Sequence, residues 1–163
     1  MKITFKISTK IVLLILVLNT NSGVAQTKSE IEFLLTEIGE VENSKEIKEA
    51  IPAKKVISYG KDILPLLGEF FIDTSVTKTW SDCNERYLTK GETAIIIADQ
   101  ITFLPYAKLT KVQNCIFEFC EDNPNLIEYY FGKIAQDGYP NFQQKYLNWL
   151  SEIKKKGKKS KKN

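Results

Sequence analysis

The sequence has no histidine. That removes the Ser-His-Asp triad, the Cys-His pair, the HExxH zinc site and every His-containing zinc finger. It also removes the one side chain whose unperturbed pKa lies near neutrality, and with it the commonest general acid and base. Arginine occurs once, as Arg86, against 22 lysines. Three cysteines are present and no CxxC, so a thioredoxin-like redox motif is missing. The glycines are scattered, and none of Gly60, Gly68 or Gly91 belongs to a phosphate-cradling loop. No apolar run approaches the length of about 20 residues that a bilayer core requires.

The longest such run, Ile11 to Leu18, has a different meaning. Lys2, Lys6 and Lys10 precede it, and Gly23-Val24-Ala25 follows it with small residues at −3 and −1. Residues 1–26 therefore read as an export signal cut after Ala25, and periplasmic or secreted localisation is expected. Taking its three lysines from the 23 basic residues leaves 20 against 20 acids. The last ten residues, 154–163, then hold seven lysines (Lys154, Lys155, Lys156, Lys158, Lys159, Lys161 and Lys162) and no acid. The intervening body, 27–153, carries 13 basic and 20 acidic residues, a net charge of −7. The chain is an acidic domain with a basic tail, so its pI of about 8.6 is no argument for nucleic acid as a partner. The tail has no apolar stripe and is expected to be disordered. It suits an anionic membrane or polysaccharide.

The pattern of the body is helical nearly throughout. Ser29 with Glu32, Asn43 with Glu46 and Thr89 with Glu92 each have capping-box spacing ahead of an apolar stripe. Pro52 breaks or kinks one segment, while Pro65 falls in a first turn. Further helices are expected over 63–72, 90–104, 111–121 and 125–135, with a last one from Pro140 to Ile153. No segment shows the turn-bounded alternation of a hairpin. The fold class expected is all-α, six or seven short antiparallel helices in one domain spanning 27–153. Asp73 to Tyr87 lacks any period and reads as a loop, long for a compact domain and so of functional interest.

Two segments resemble HEAT-type helical repeats. Residues 54–67 (KKVISYGKDILPLL) are similar to a repeat's helix, glycine turn and second helix with proline in its first turn. Residues 86–94 (RYLTKGETA) are similar to the Arg, Gly and Ala spacing that opens a following unit, and Asp73 stands where such repeats often place an acid. The resemblance covers about 50 residues. It implies a stack of α-hairpins with a binding surface, and no catalytic residues.

The chemistry-bearing residues are few. Carboxylates Asp73, Asp82, Glu85 and Glu92 gather about the 73–87 segment, where two could form a hydrolase pair. Helix capping explains Glu92, and solvation the others. The 121–125 stretch (EDNPN) is rich in calcium-type oxygens but lacks the EF-hand glycine and closing glutamate. No metal or cofactor is expected, and the chain is not read as an enzyme. Arg86 has two readings: an internal ion pair, most simply with Asp73, or an anchor for a partner carboxylate beside Trp80. Cys115 and Cys120 would point about 140° apart on one helix, so a disulfide is expected between Cys83 and either of them. These features together match the format of an exported protein-binding module, such as an inhibitor or immunity protein of the cell envelope, with Trp80, Arg86 and Asp73 toward the partner.

Overall fold

The computed structural model describes residues 27–113, 120 and 123–160. The expected leader (1–26), Cys115, and Lys161 and Lys162 of the tail lie outside the described residues. The chain is mostly helical, built from short helices round one buried helix, with one small sheet at the side.

Helix α1 (Lys28–Ile38) is capped by Thr27, whose Oγ accepts from the Glu30 amide at 3.1 Å, two residues earlier than Ser29. It buries Ile31, Leu34, Leu35 and Ile38 along one face. Asn43 caps a 3-10 turn (Ser44–Glu49), and α2 (Ile51–Ser58) starts where Pro52 can occupy a first turn. Gly60, at φ +66°, turns the chain through a 3-10 segment (Gly60–Ile63) into α3 (Leu64–Phe70), with Pro65 in its first turn. The helix–glycine–helix unit of 54–67 is present in this form.

The segment 73–87 is not a loop. Val76–Ser81 (β1) and Arg86–Thr89 (β2) pair antiparallel, with Val76 opposite Thr89 and Trp80 opposite Tyr87. The fold is thus mostly helical but not strictly all-α. Residues 86–94 are likewise a strand running into a helix, not the opening of a helical unit. The strand was concealed by its own pattern. The inward positions Thr79 and Ser81 are polar, and the outward positions Val76, Trp80 and Tyr87 are apolar or aromatic. Such a strand is inverted relative to the usual apolar-in rule, although its β-branched and aromatic residues suit an extended chain.

Thr89 ends the hairpin and caps α4 (Lys90–Ile101) in a complete capping box with Glu92. Every residue from Gly91 to Ala98 is buried, so the isoleucine triplet is core helix. α1, α2, α3 and β2 all pack against α4. Two shorter helices follow. α5 (Tyr106–Thr110) ends at Lys111, which has a left-handed φ of +64°, and most of the helix expected over 111–121 lies outside the described residues. A 3-10 turn (Leu126–Tyr130) then leads into α6 (Phe131–Asp137).

The last helix, α7 (Tyr139–Ser160), packs on α3, α5 and α6. Phe142 and Tyr146 meet Phe71 with ring centroids 5.9 and 4.6 Å apart. The helix continues to Ser160, beyond the Ile153 limit at which a disordered tail was expected. Lysine is a good helix former, and cations at a helix C-terminus complement the macrodipole.

One close approach holds the start of α4 to the chain before β1. A Cβ on Gly91 would lie 2.6 Å from the Phe71 carbonyl oxygen and 2.8 Å from that of Asp73. Gly91→Ala is therefore expected to cost about 1–3 kcal/mol through overpacking. Gly132→Ala, where a Cβ meets nothing within 4 Å, should be neutral or gain up to about 1 kcal/mol of helix propensity. Urea midpoints of the two variants check the contrast.

Candidate functional site

The hairpin turns three large apolar or aromatic side chains, Val76, Trp80 and Tyr87, toward solvent on one face, so its supports define the site. On one side β1 lies along the chain leaving α1. The Lys78 amide donates to the Gly39 carbonyl at 2.8 Å, and the Trp80 amide to that of Glu42 at 2.9 Å. The inward hydroxyl of Thr77 donates to the Leu88 carbonyl at 2.8 Å. Polar inward residues thus serve as ties, and Leu88 alone enters the core as an apolar side chain of β2.

Behind β2 stands Glu92, fully buried. Its Oε1 accepts from the Arg86 guanidinium at 2.5 Å and from the Tyr139 hydroxyl. Its Oε2 accepts from the second Arg86 nitrogen at 2.8 Å and from the Thr89 amide at 2.8 Å. Four donors fill the four lone-pair positions of the carboxylate. Burial pushes this carboxyl up, but Arg86, Tyr139 and the Thr89 amide outweigh it and leave it below its ordinary 4.5. Arg86 is held still more firmly protonated by the same contact. Burial, then the charge of Glu92, pushes the Tyr139 phenol up.

The expected Arg86–Asp73 pair is therefore replaced. A buried carboxylate at the helix cap needs the bidentate fork more than a half-buried one does. Asp73 instead accepts from the Ser75 amide at 2.9 Å and faces Lys90 at 3.9 Å.

With its back fixed, the hairpin presents Val76 (71% exposed), Tyr87 (51%) and Trp80 (37%) outward. The Trp80 and Tyr87 rings meet edge to face, centroids 5.2 Å apart, across the strand pair. Such an aromatic pair holds its own geometry at low entropic cost. Charged groups ring it in matched pairs: Lys78 with Glu40 at 2.6 Å, and Lys45 with Asp82 at 3.1 Å. Hydrogen bonds from Asn43 and Lys45 hold the Asp82 carboxyl below the usual carboxylate range.

Below the hairpin turn lies a polar cleft of about 480 Å³, lined by Asp82, Asn84, Asn123, Glu128, Tyr129 and the disulfide among others. Cys83 is bonded to Cys120, with Cα atoms 5.2 Å apart. Of the two pairings open from the sequence, the structure contains this one, closing a loop across 37 positions. Constraint of that size is worth about 2–4 kcal/mol.

A second buried carboxylate, Glu128, accepts from the Ser81 hydroxyl, from Asn123 at 3.1 Å and from Asn125 at 2.9 Å. Asn125 also donates to the Ser44 carbonyl at 2.7 Å, joining the turn of the hairpin to the first 3-10 segment. Asn123 and Asn125, from the oxygen-rich 121–125 stretch, are donors to Glu128.

Sequence reasoning placed Trp80, Arg86 and Asp73 in one segment, but the hairpin puts Trp80 on its outer face beside Tyr87 and turns Arg86 inward to Glu92. It missed Tyr87 as the partner of Trp80, and it missed Glu128. The signal for Glu128 was an acid inside an otherwise apolar run, Leu126 to Phe131, which implies a partnered buried charge. Of the four carboxylates weighed as an acid–base pair, only Asp82 lines the cleft. Among the described residues no group of three or more Cys, Asp or Glu is placed to hold a metal ion.

The lowered pKa of Glu92 fixes a sign. A carboxyl depressed on folding contributes stability that is present above its unfolded value and is lost as pH falls through its folded value. Glu92→Gln should be about 1.5–3 kcal/mol less stable than the parent at neutral pH. The gap should close as pH drops below about 4.5, as followed by denaturant midpoints across pH. Compared with known proteins, the chain matches no family model, no curated protein and no solved structure.

Proposed function

We propose that this protein is an exported, non-enzymatic protein-binding module of inhibitor or immunity type, and that the outer face of the hairpin is its docking surface. The observation that carries the reading is the inversion of β1, with Tyr87 of β2 turned outward beside it. Thr79 and Ser81 are fully buried, while Trp80 and Tyr87 stand at the surface in edge-to-face contact. Folding alone gains from the opposite arrangement, because an aromatic side chain turned inward buries far more apolar area than a threonine. Tryptophan and tyrosine are also the types that dominate binding hot spots.

The supports behind the face favour the same reading. The hairpin is tied by Glu92, by Glu128, by the Cys83–Cys120 bond and by backbone hydrogen bonds to the chain after α1. A surface held in its bound shape loses little entropy on association. Arg86, whose terminal nitrogens are both engaged by Glu92, acts here as a positioning residue, and Trp80 and Tyr87 make the contact. The disulfide, together with the leader-like residues 1–26, supports an oxidising, extracytoplasmic setting.

A photo-reactive amino acid placed at Tyr87, and in a control chain at the exposed Phe33 of α1, tests the reading in intact cells. A discrete adduct is expected from Tyr87 and not from Phe33. Trp80→Ala should abolish it, and should weaken the isolated complex about 30-fold, the size of a hot-spot loss near 2 kcal/mol. An adduct from both positions, or one that survives Trp80→Ala, would overturn the docking surface.

A further inference from the structure

We propose that the lysine-rich end of α7 is a second, independent interaction surface, and that its ligand is an anionic lipid bilayer. The hairpin reading makes no use of this helix end, and the inference stands apart from it. Residues 151–157 are all exposed, so α7 emerges from the body after Leu150. The acid nearest the lysines, Glu152, is engaged by Lys108 at 2.5 Å. From 154 onward the sequence offers no other acid.

The placement of those lysines is not uniform. At about 100° per residue, positions 154, 155 and 156 span an arc of about 200°. The remaining arc carries Ile153 and Gly157, in line with Trp149 and Leu150 of the packed stripe. The emergent helix is therefore amphipathic: a broad cationic face beside a narrow apolar and small-residue strip, the form of a helix that lies in a membrane interface.

Ile153 is 45% exposed at the head of this strip. It borders an apolar crevice of about 210 Å³ whose walls include Leu64, Pro65, Trp149 and Leu150, with Lys61, Asp62 and Lys154 at its edge. Phe103, 68% exposed, follows Thr102 of the same wall. A polysaccharide or nucleic acid would satisfy the charge alone. A bilayer with acidic headgroups satisfies both halves, charge on the lysines and hydrocarbon on Ile153 and the crevice.

The test uses the chain 27–163 with vesicles of phosphatidylcholine alone or mixed with phosphatidylglycerol. Co-sedimentation with the mixed vesicles is expected at low salt, with release near 0.5 M salt, where the Debye length falls to about 4 Å. Little binding is expected to phosphatidylcholine alone. Reversing charge at Lys154, Lys155, Lys158 and Lys159 to Glu should abolish binding, the near-ultraviolet circular dichroism of the body being unchanged. Ile153→Ser should weaken vesicle binding about tenfold and leave binding to heparin, a soluble polyanion, unaltered. Trp80→Ala should bind vesicles like the parent, so that failure of one surface is distinguishable from failure of the other. Equal binding to both vesicle types, persistence in the charge-reversed chain, or indifference to Ile153→Ser would overturn the proposal. The last result would point to a soluble or carbohydrate polyanion instead.

Discussion

The structure depends on one buried carboxylate. A charged Glu92 out of contact with water would cost several kcal/mol if unpaired. It is instead saturated by donors from three places in the chain: Arg86 in β2, the Thr89 amide at the helix cap, and Tyr139 at the start of α7. Each of those contacts sets a different part of the fold. The cap starts the central helix, the guanidinium anchors the strand before it, and the phenol seats the last helix. The sole arginine of the chain stands at the one place where a bidentate, permanently charged donor is needed.

Glu128 repeats the device at the other end of the hairpin. It takes the Ser81 hydroxyl and two asparagine amides, and through Asn125 it reaches the backbone of Ser44. The two carboxylates and the Cys83–Cys120 bond grip the hairpin at its base and at its turn. This explains how a strand with polar residues inward can be stable: hydrogen bonds from Ser81 to a buried acid and from Thr77 and Thr79 to backbone carbonyls replace apolar burial. It also releases Trp80 and Tyr87 from core duty, which links the energetics of the fold to the docking surface proposed for it.

Local chemistry was the legible part of the sequence. The Thr89–Glu92 capping box, the break in the chain at Pro52 and the first-turn position of Pro65 all depend on a few neighbouring residues, and the structure has each of them. The hairpin was not legible, because hydrophobic alternation identifies strands by an apolar inner face, and here that face is Thr79 and Ser81. The partner of Arg86 was misread for a related reason. Asp73 looked the freer acid, whereas the burial of Glu92, which creates the demand for a cation, appears only once α4 is packed at the centre. The helical continuation of the lysine tail follows from propensity and macrodipole, terms that an apolar-stripe criterion leaves out.

The central claim is that Glu92 rigidly positions the hairpin from behind. Backbone order parameters from ¹⁵N relaxation, read at Thr79, Trp80, Tyr87 and Leu88 in the parent and in Glu92→Gln, test it in the native state. The account predicts values near 0.85 in the parent, as for rigid backbone, falling below about 0.6 in the variant, with α1 unchanged in both. A hairpin already mobile in the parent, or equally ordered without the carboxylate, would contradict it.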